Sequence, residues 1–74
     1  MHPDISVVVP MHDEAPNVGE LYRELTSALE ACGRPYEIVA VDDGSTDETF
    51  ARLARLQASD YRWRIIRFRR NFGQ

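Results

Sequence analysis

The amino-acid order predicts an α/β fold in which three parallel strands alternate with two helices, and three observations carry that expectation. Two continuous apolar runs, Ile5 to Pro10 (ISVVVP) and Tyr36 to Val41 (YEIVAV), read as strands buried on both faces of a parallel sheet. An apolar stripe at helical period lies between them. Each run empties into a polar turn, and open α/β sheets bind ligands beyond the carboxyl ends of their strands.

The first strand is Ile5 to Pro10, closed by its proline. From Pro16, apolar residues recur at Val18, Leu21, Tyr22, Leu25, Ala28, Leu29 and Cys32, one face of a helix that ends at Gly33, a favoured residue just past a helix terminus. Asn17 with Glu20 three residues later resembles a capping box at its start. The second strand, Tyr36 to Val41, runs into Asp42-Asp43-Gly44-Ser45-Thr46-Asp47. Ser45 and Glu48 carry the S-x-x-E capping signature of a shorter helix with Phe50, Leu53, Ala54 and Leu56 on its apolar face, fading near Ala58. Trp63 to Phe68 (WRIIRF) alternates less cleanly and reads as a third strand nearer an edge.

Right-handed crossovers then place the strands in the order 3-2-1, half of a Rossmann-like sheet. Strand 1 is left with a long apolar edge that complete proteins usually cover. Residues 1–74 are therefore expected to be a partial domain, truncated after the third strand, with self-association along the open edge as a consequence.

Seventy-four residues bury only about 60% of the surface their unfolded chain exposes, so stability is expected to be marginal. The single cysteine, Cys32, has no disulfide partner and is expected to be a buried thiol on the first helix. A reducing, cytoplasmic compartment suits it. The longest apolar run is a strand's length, which predicts neither a signal peptide nor a membrane span. Charge is uneven: residues 1–61 hold twelve acids against four arginines, and the remainder holds five arginines and no acid. A basic stretch of this kind either holds an anion or covers a solvated strand face, the commoner case for Arg62, Arg64 and Arg67. No nucleic-acid partner is expected.

Three polar clusters meet at the predicted ligand edge: Pro10 to Glu14, Asp42 to Asp47, and Arg69 to Gln74. Two of them precede helix amino termini, whose backbone N–H groups favour anions, so a nucleotide is the natural ligand class. The first loop lacks glycine and cannot approach a pyrophosphate as a G-x-G-x-x-G turn does, which disfavours NAD. Asp42 follows directly on a strand and can accept from a base N–H or a ribose hydroxyl. Asp43, Ser45, Thr46 and Asp47 are the residues a tight turn and a helix cap require. His12 alone is weak evidence, being more often a surface group than a ligand. The D-D-G-S-T-D spacing is not that of a calcium loop, and neither a Cys/His cluster, a G-x-S-x-G elbow nor a P-loop is present. A receiver-like phosphoacceptor is disfavoured because Arg69 and Arg70, not an aspartate, end the third strand.

The three segments S-V-V-V-P-M-H-D-E, E-I-V-A-V-D-D-G-S-T-D and R-R-N-F-G-Q resemble, in order and spacing, the opening of family 2 glycosyltransferases. The ending R-N-F-G-Q is similar to the branch that includes dolichol-phosphate mannose synthase and the bacterial undecaprenyl-phosphate sugar transferases. The resemblance implies the amino-terminal, nucleotide-binding part of a GT-A domain. Pro10, His12 and Glu14 would line the base pocket, Asp42 would accept from the base, Asp43 would support the turn, and Arg70 and Asn71 would lie near the nucleotide. Gly73 would keep the backbone there open. The family usually has Tyr where His12 stands and Asn where Asp13 stands, so the first motif departs most.

By the same resemblance the parent enzyme transfers a sugar from a nucleotide-sugar donor, with inversion, to a polyprenyl phosphate at the cytoplasmic face of a membrane. Its Mg²⁺ or Mn²⁺ would sit on a D-x-D that lies beyond this sequence, as would the catalytic base; no catalytic or metal-ligating residue is expected within it, and the chain alone is expected to be inactive. The alternative is a non-catalytic module that binds a nucleotide, or a partner along its open edge.

Overall fold

A computed structural model describes residues 2–68 of the chain. Strand β1 spans Ile5–Met11, helix α1 Val18–Ala31, strand β2 Tyr36–Asp43, helix α2 Thr49–Ser59 and strand β3 Trp63–Phe68, with a 3₁₀ turn at Ala15–Asn17 before α1. The strands form one parallel sheet in the order β1-β2-β3, the predicted order read from the other side. Ile5 pairs with Tyr36 and Met11 with Asp42 across the first ladder, while Ile38 faces Trp63 and Asp43 faces Phe68 across the second.

Both helices pack on the same face. Val18 and Leu29 from α1 and Leu53 from α2 join Met11, Tyr36, Ile38, Ala40 and Trp63 in a single core, with Leu21, Tyr22, Leu25, Leu56 and Ile65 against its flanks. Burial along β2 alternates strictly: Tyr36, Ile38, Ala40 and Asp42 face the helices, and Glu37, Val39, Val41 and Asp43 face away. This corrects the expectation of strands buried on both faces. Val8, Ile66 and Phe68 are exposed on the second face, which no described residue covers. A continuous apolar run is compatible with a two-sided layer, but the second layer must come from elsewhere.

The local starts and stops differ from the expected caps. Gly33 does end α1, with φ of 68° and its N–H on the Glu30 carbonyl. Asn17 makes no side-chain cap; its own N–H donates to the Glu14 carbonyl in the 3₁₀ turn, which takes over the helix entry. Ser45 does not cap α2 either. Asp47 does that work, accepting from the Thr49 N–H at 2.8 Å. Cys32 is exposed, not buried, because α1 stops at Ala31 and leaves Cys32 as its terminal cap residue, at the end of the stripe where the core no longer covers it. Ala28 and Ala54 are exposed as well.

The arginines of β3 are spoken for. Arg62 Nε lies 3.1 Å from Asp60 Oδ1 and its guanidinium stacks on Tyr36, Arg64 reaches Glu37, and Arg67 stacks on Phe50 beside Asp42. Arg62, just before β3, and Arg64 and Arg67 within it thus form separate pairs on two faces of the sheet. No helix among the described residues is long and apolar enough to cross a membrane.

Candidate functional site

The carboxyl ends of β1 and β2 are fastened together by the Thr46 hydroxyl, which donates to Asp13 Oδ1 (3.4 Å), and by six hydrogen bonds that involve backbone groups of the segments that follow them. Backbone N–H groups of the first loop donate to side chains of the second: Asp13 to Ser45 Oγ (2.9 Å), Glu14 to Thr49 Oγ1 (2.8 Å) and Ala15 to Asp47 Oδ2 (3.2 Å). In return, Asp13 Oδ1 accepts from the N–H groups of Thr46 (2.7 Å) and Asp47 (3.2 Å). The sixth bond joins His12 Nδ1 to the Asp43 carbonyl at 2.6 Å. A carbonyl only accepts, so Nδ1 carries a proton and the ring plane is fixed. His12 Nε2 then lies 3.3 Å from Asp13 Oδ2, an ion pair when the ring is doubly protonated.

This clamp explains residue choices that the sequence left as turn formers. Asp13 has φ of 50°, a conformation that Asp and Asn tolerate better than other side chains, and its carboxylate reaches across to the second turn. Thr49 is fully buried and Ser45 nearly so, because each hydroxyl sits under the first loop as an acceptor for a backbone N–H. The Asp47 carboxyl is held below the usual range by the Thr49 hydroxyl and by the N–H groups of Thr49 and Ala15. Sequence reading missed Asp13, Ser45 and Thr49 as cross-loop partners, since local capping patterns are visible in a sequence and contacts more than thirty residues apart are not.

The same bonds consume the N–H groups that were expected to receive an anion. Those of Asp13, Glu14 and Ala15 are taken as described, the Gly44 N–H donates to the Phe68 carbonyl (2.8 Å), and the Ser45 N–H donates to Asp42 Oδ1 (3.2 Å). Thr46, Asp47 and Thr49 complete the set. These groups leave a diphosphate no nest of free donors, in contrast with a glycine-rich loop.

The predicted site residues separate into three places. Pro10 and Asp43 lie on the open face of the sheet, and the His12 ring, about half exposed, hangs from the Asp43 carbonyl beside them. Phe68, exposed and in register with Asp43, adds an aromatic ring on that face. Asp42 points the other way: it is 0% exposed, under the turn, with Oδ1 on the Ser45 N–H and Arg67 Nε 3.6 Å from Oδ2. Glu14 lines a small cavity of about 140 Å³ against α1 with Met11, Asn17, Glu20, Leu21 and Glu24. Arg70 and Asn71 fall outside the described residues. Among those that are described, no group of three or more His, Cys, Asp or Glu side chains could hold a metal ion, and the nearest carboxylates, Asp13 and Asp47, are already committed to N–H and hydroxyl donors.

A parallel Rossmann-like sheet whose polar residues gather beyond the carboxyl ends of β1 and β2, with no glycine-rich phosphate turn, defines an α/β domain of the GT-A amino-terminal type. The particular membership follows from the chain as a whole: it belongs to glycosyltransferase family 2, because residues 6–74 match the family described as Glycosyl transferase family 2. Enzymes of that family use nucleotide-sugar donors, commonly with a divalent metal, and inversion is a property of the family. The described residues do not fit such a metal.

Proposed function

We propose that this chain supplies the nucleoside-binding edge of a glycosyltransferase, with Pro10, His12 and Asp43 facing the base. The observation that supports the reading is the split of the paired aspartates: Asp43 shares the open face with Pro10 and the anchored imidazole, whereas Asp42 is sealed beneath the turn. In this proposal the roles expected from the resemblance are exchanged. Asp43 accepts from a base N–H, and Asp42 supports the turn. An imidazole held by one ring nitrogen offers a fixed face for stacking, more weakly than the tyrosine usual in the family.

Because the backbone N–H groups of both turns are committed, the donor's diphosphate must be neutralised elsewhere. A D-x-D with Mg²⁺ or Mn²⁺ outside this sequence suits that need, as would the Arg70 guanidinium, with Asn71 beside the nucleotide and Glu14 at the rim of the base pocket. A polyprenyl phosphate acceptor at a cytoplasmic membrane face, taken from the R-N-F-G-Q ending, completes the proposal for the parent protein. The test is an NMR titration of the chain with UDP, GDP, CDP and NAD. Millimolar-range binding of one nucleoside diphosphate, with shifts at His12 and Asp43 that vanish in Asp43→Ala, is the expected result. Shifts that survive Asp43→Ala would remove Asp43 from the site, and binding of NAD alone would overturn the donor class. No binding by any of them would favour a module that docks a partner along the open β1 edge.

A further inference from the structure

The least satisfied polar atom at this end of the sheet is Asp42 Oδ2, which is fully buried and has no hydrogen-bond partner among the described residues. A buried carboxylate oxygen of this kind needs a countercharge or a donor. Asp42 and Arg67 are cross-strand partners in the β2-β3 ladder, and both side chains fall on the helix side of the sheet. Arg67 Nε stands 3.6 Å from Oδ2, while its guanidinium lies 4.3 Å from the centre of the Phe50 ring at the start of α2. Phe50 therefore holds the cation at the mouth of the buried acid. The charged groups of the neighbouring elements include His12, Asp13 and Glu14 after β1, Asp43, Asp47 and Glu48 in the turn, and Arg52 and Arg55 on α2; among the described residues Arg67 is the cation within 4 Å of Asp42.

We propose that Arg67 is a positioning residue for the nucleotide edge: by neutralising Asp42 it holds the D-D-G-S turn in the shape that presents Asp43. The chain of contacts is short. Asp42 Oδ1 fixes the Ser45 N–H, Ser45 Oγ fixes the Asp13 N–H, and the Asp43 carbonyl between them anchors His12. Loss of the cation leaves a buried anion, which either takes up a proton or drags the turn open toward water. The proposal rests on the reading of this turn as a nucleotide edge, and one of its readouts needs no ligand.

The experiment compares Arg67→Met, Arg67→Lys, Asp42→Asn and the Arg67→Met/Asp42→Asn double variant in the full chain, titrated with UDP, GDP and CDP, and follows the Ser45 amide by NMR. Arg67→Met is expected to weaken the nucleotide that binds by roughly tenfold, the scale of a charged hydrogen-bonding partner. Arg67→Lys is expected to recover most of that loss. In the Asp42→Asn background, where there is no charge to neutralise, Arg67→Met should have no further effect. Without ligand, the Ser45 amide should shift in Arg67→Met, where the buried Asp42 carboxylate loses its countercharge, and stay still in the double variant. An equal loss of affinity in both backgrounds would show Arg67 touching the nucleotide itself, and an unmoved Ser45 amide would remove the Asp42 link; either overturns the proposal. If Arg67→Met fails to fold while the double variant folds, the charge argument is upheld, and if both fail, Arg67 is only packing for Phe50. Should the unsubstituted chain bind none of UDP, GDP and CDP, the donor reading falls while the Ser45 amide still decides the role of Arg67.

Discussion

The two ends of the sheet solve the same problem, placing polar groups beside a small core, in opposite ways. At the amino end, Asp60, Arg62, Tyr22, Tyr36 and Trp63 turn inward on one another: Asp60 accepts from the Arg62 guanidinium and the Tyr22 hydroxyl, Arg62 covers the Tyr36 ring, and Tyr22 packs on Trp63 with ring centres 5.4 Å apart. At the carboxyl end the side chains reach chiefly for the backbone of the opposite loop, so that Asp13, Ser45, Asp47 and Thr49 hold two loops in place and leave the outer face to Pro10, His12 and Asp43. A closed cluster stabilises; a backbone clamp positions. Substitutions at the two ends should therefore separate into losses of fold and losses of geometry.

The largest effect is expected at the closed end. Trp63 is 1% exposed and touches the core from β3, so Trp63→Ala should cost about 3–5 kcal/mol, enough to unfold a domain of this size. Thermal melts followed by circular dichroism would check it. Trp63→Phe should cost much less, since it keeps the aromatic packing and removes an indole N–H that has no partner among the described residues. A tolerated Trp63→Ala would mean that the amino end is not where the stability resides.

The unequal legibility of the two ends follows from the range of their interactions. The positions of strands and helices, the Gly33 stop and the strand order could be read from local pattern and crossover handedness, and the structure keeps them, though with the strands covered on one face. The clamp could not, because Asp13 meets Thr46 and Asp47, and Glu14 meets Thr49, across more than thirty residues. Local pattern pointed to Ser45 as a cap, whereas the fold uses its hydroxyl to hold the other loop. The same limit misplaced Asp42. A side chain that follows a strand can face either side, and only the register with Met11 and Arg67 puts it under the turn.

The second expected effect tests the clamp. Asp13→Ala orphans two backbone N–H groups and places alanine at a φ of 50°, for a cost of about 1–3 kcal/mol by urea denaturation. Asp13→Asn, the residue usual in the family, keeps the acceptor oxygen and the tolerance for that backbone, and should stay within about 0.5 kcal/mol of the unsubstituted chain. Faster hydrogen exchange at Thr46 and Asp47 in the alanine variant, with Trp63 amide protection unchanged, would confine the damage to one end. Loss of protection everywhere would show that the clamp and the core are a single unit.

The smallest effect is the acid limb of stability, and salt should divide it between the two ends. Burial raises the Asp60 carboxyl, but the Arg62 side chain and N–H and the Tyr22 hydroxyl outweigh it and leave the group below the usual carboxylate range. Asp47 is depressed too, by the Thr49 hydroxyl first. A depressed acid contributes stability above its unfolded value, near pH 4, and loses that contribution as the pH falls through its lower, folded value. Melting temperature should thus be flat above about pH 5 and fall below about pH 4. Asp60 is nearly buried and Asp47 exposed, so the Asp47 share, resting on hydrogen bonds at the surface, is open to screening. Of these two shares, Asp60→Asn should therefore remove the one that persists in 1 M salt and Asp47→Asn the one that does not, while Glu37, held down by the Ser6 hydroxyl first and by Arg64, adds a third that both variants keep. An acid limb wholly abolished by salt would place all of it at the open end, and the contrast between a closed cluster and an exposed clamp would then fail.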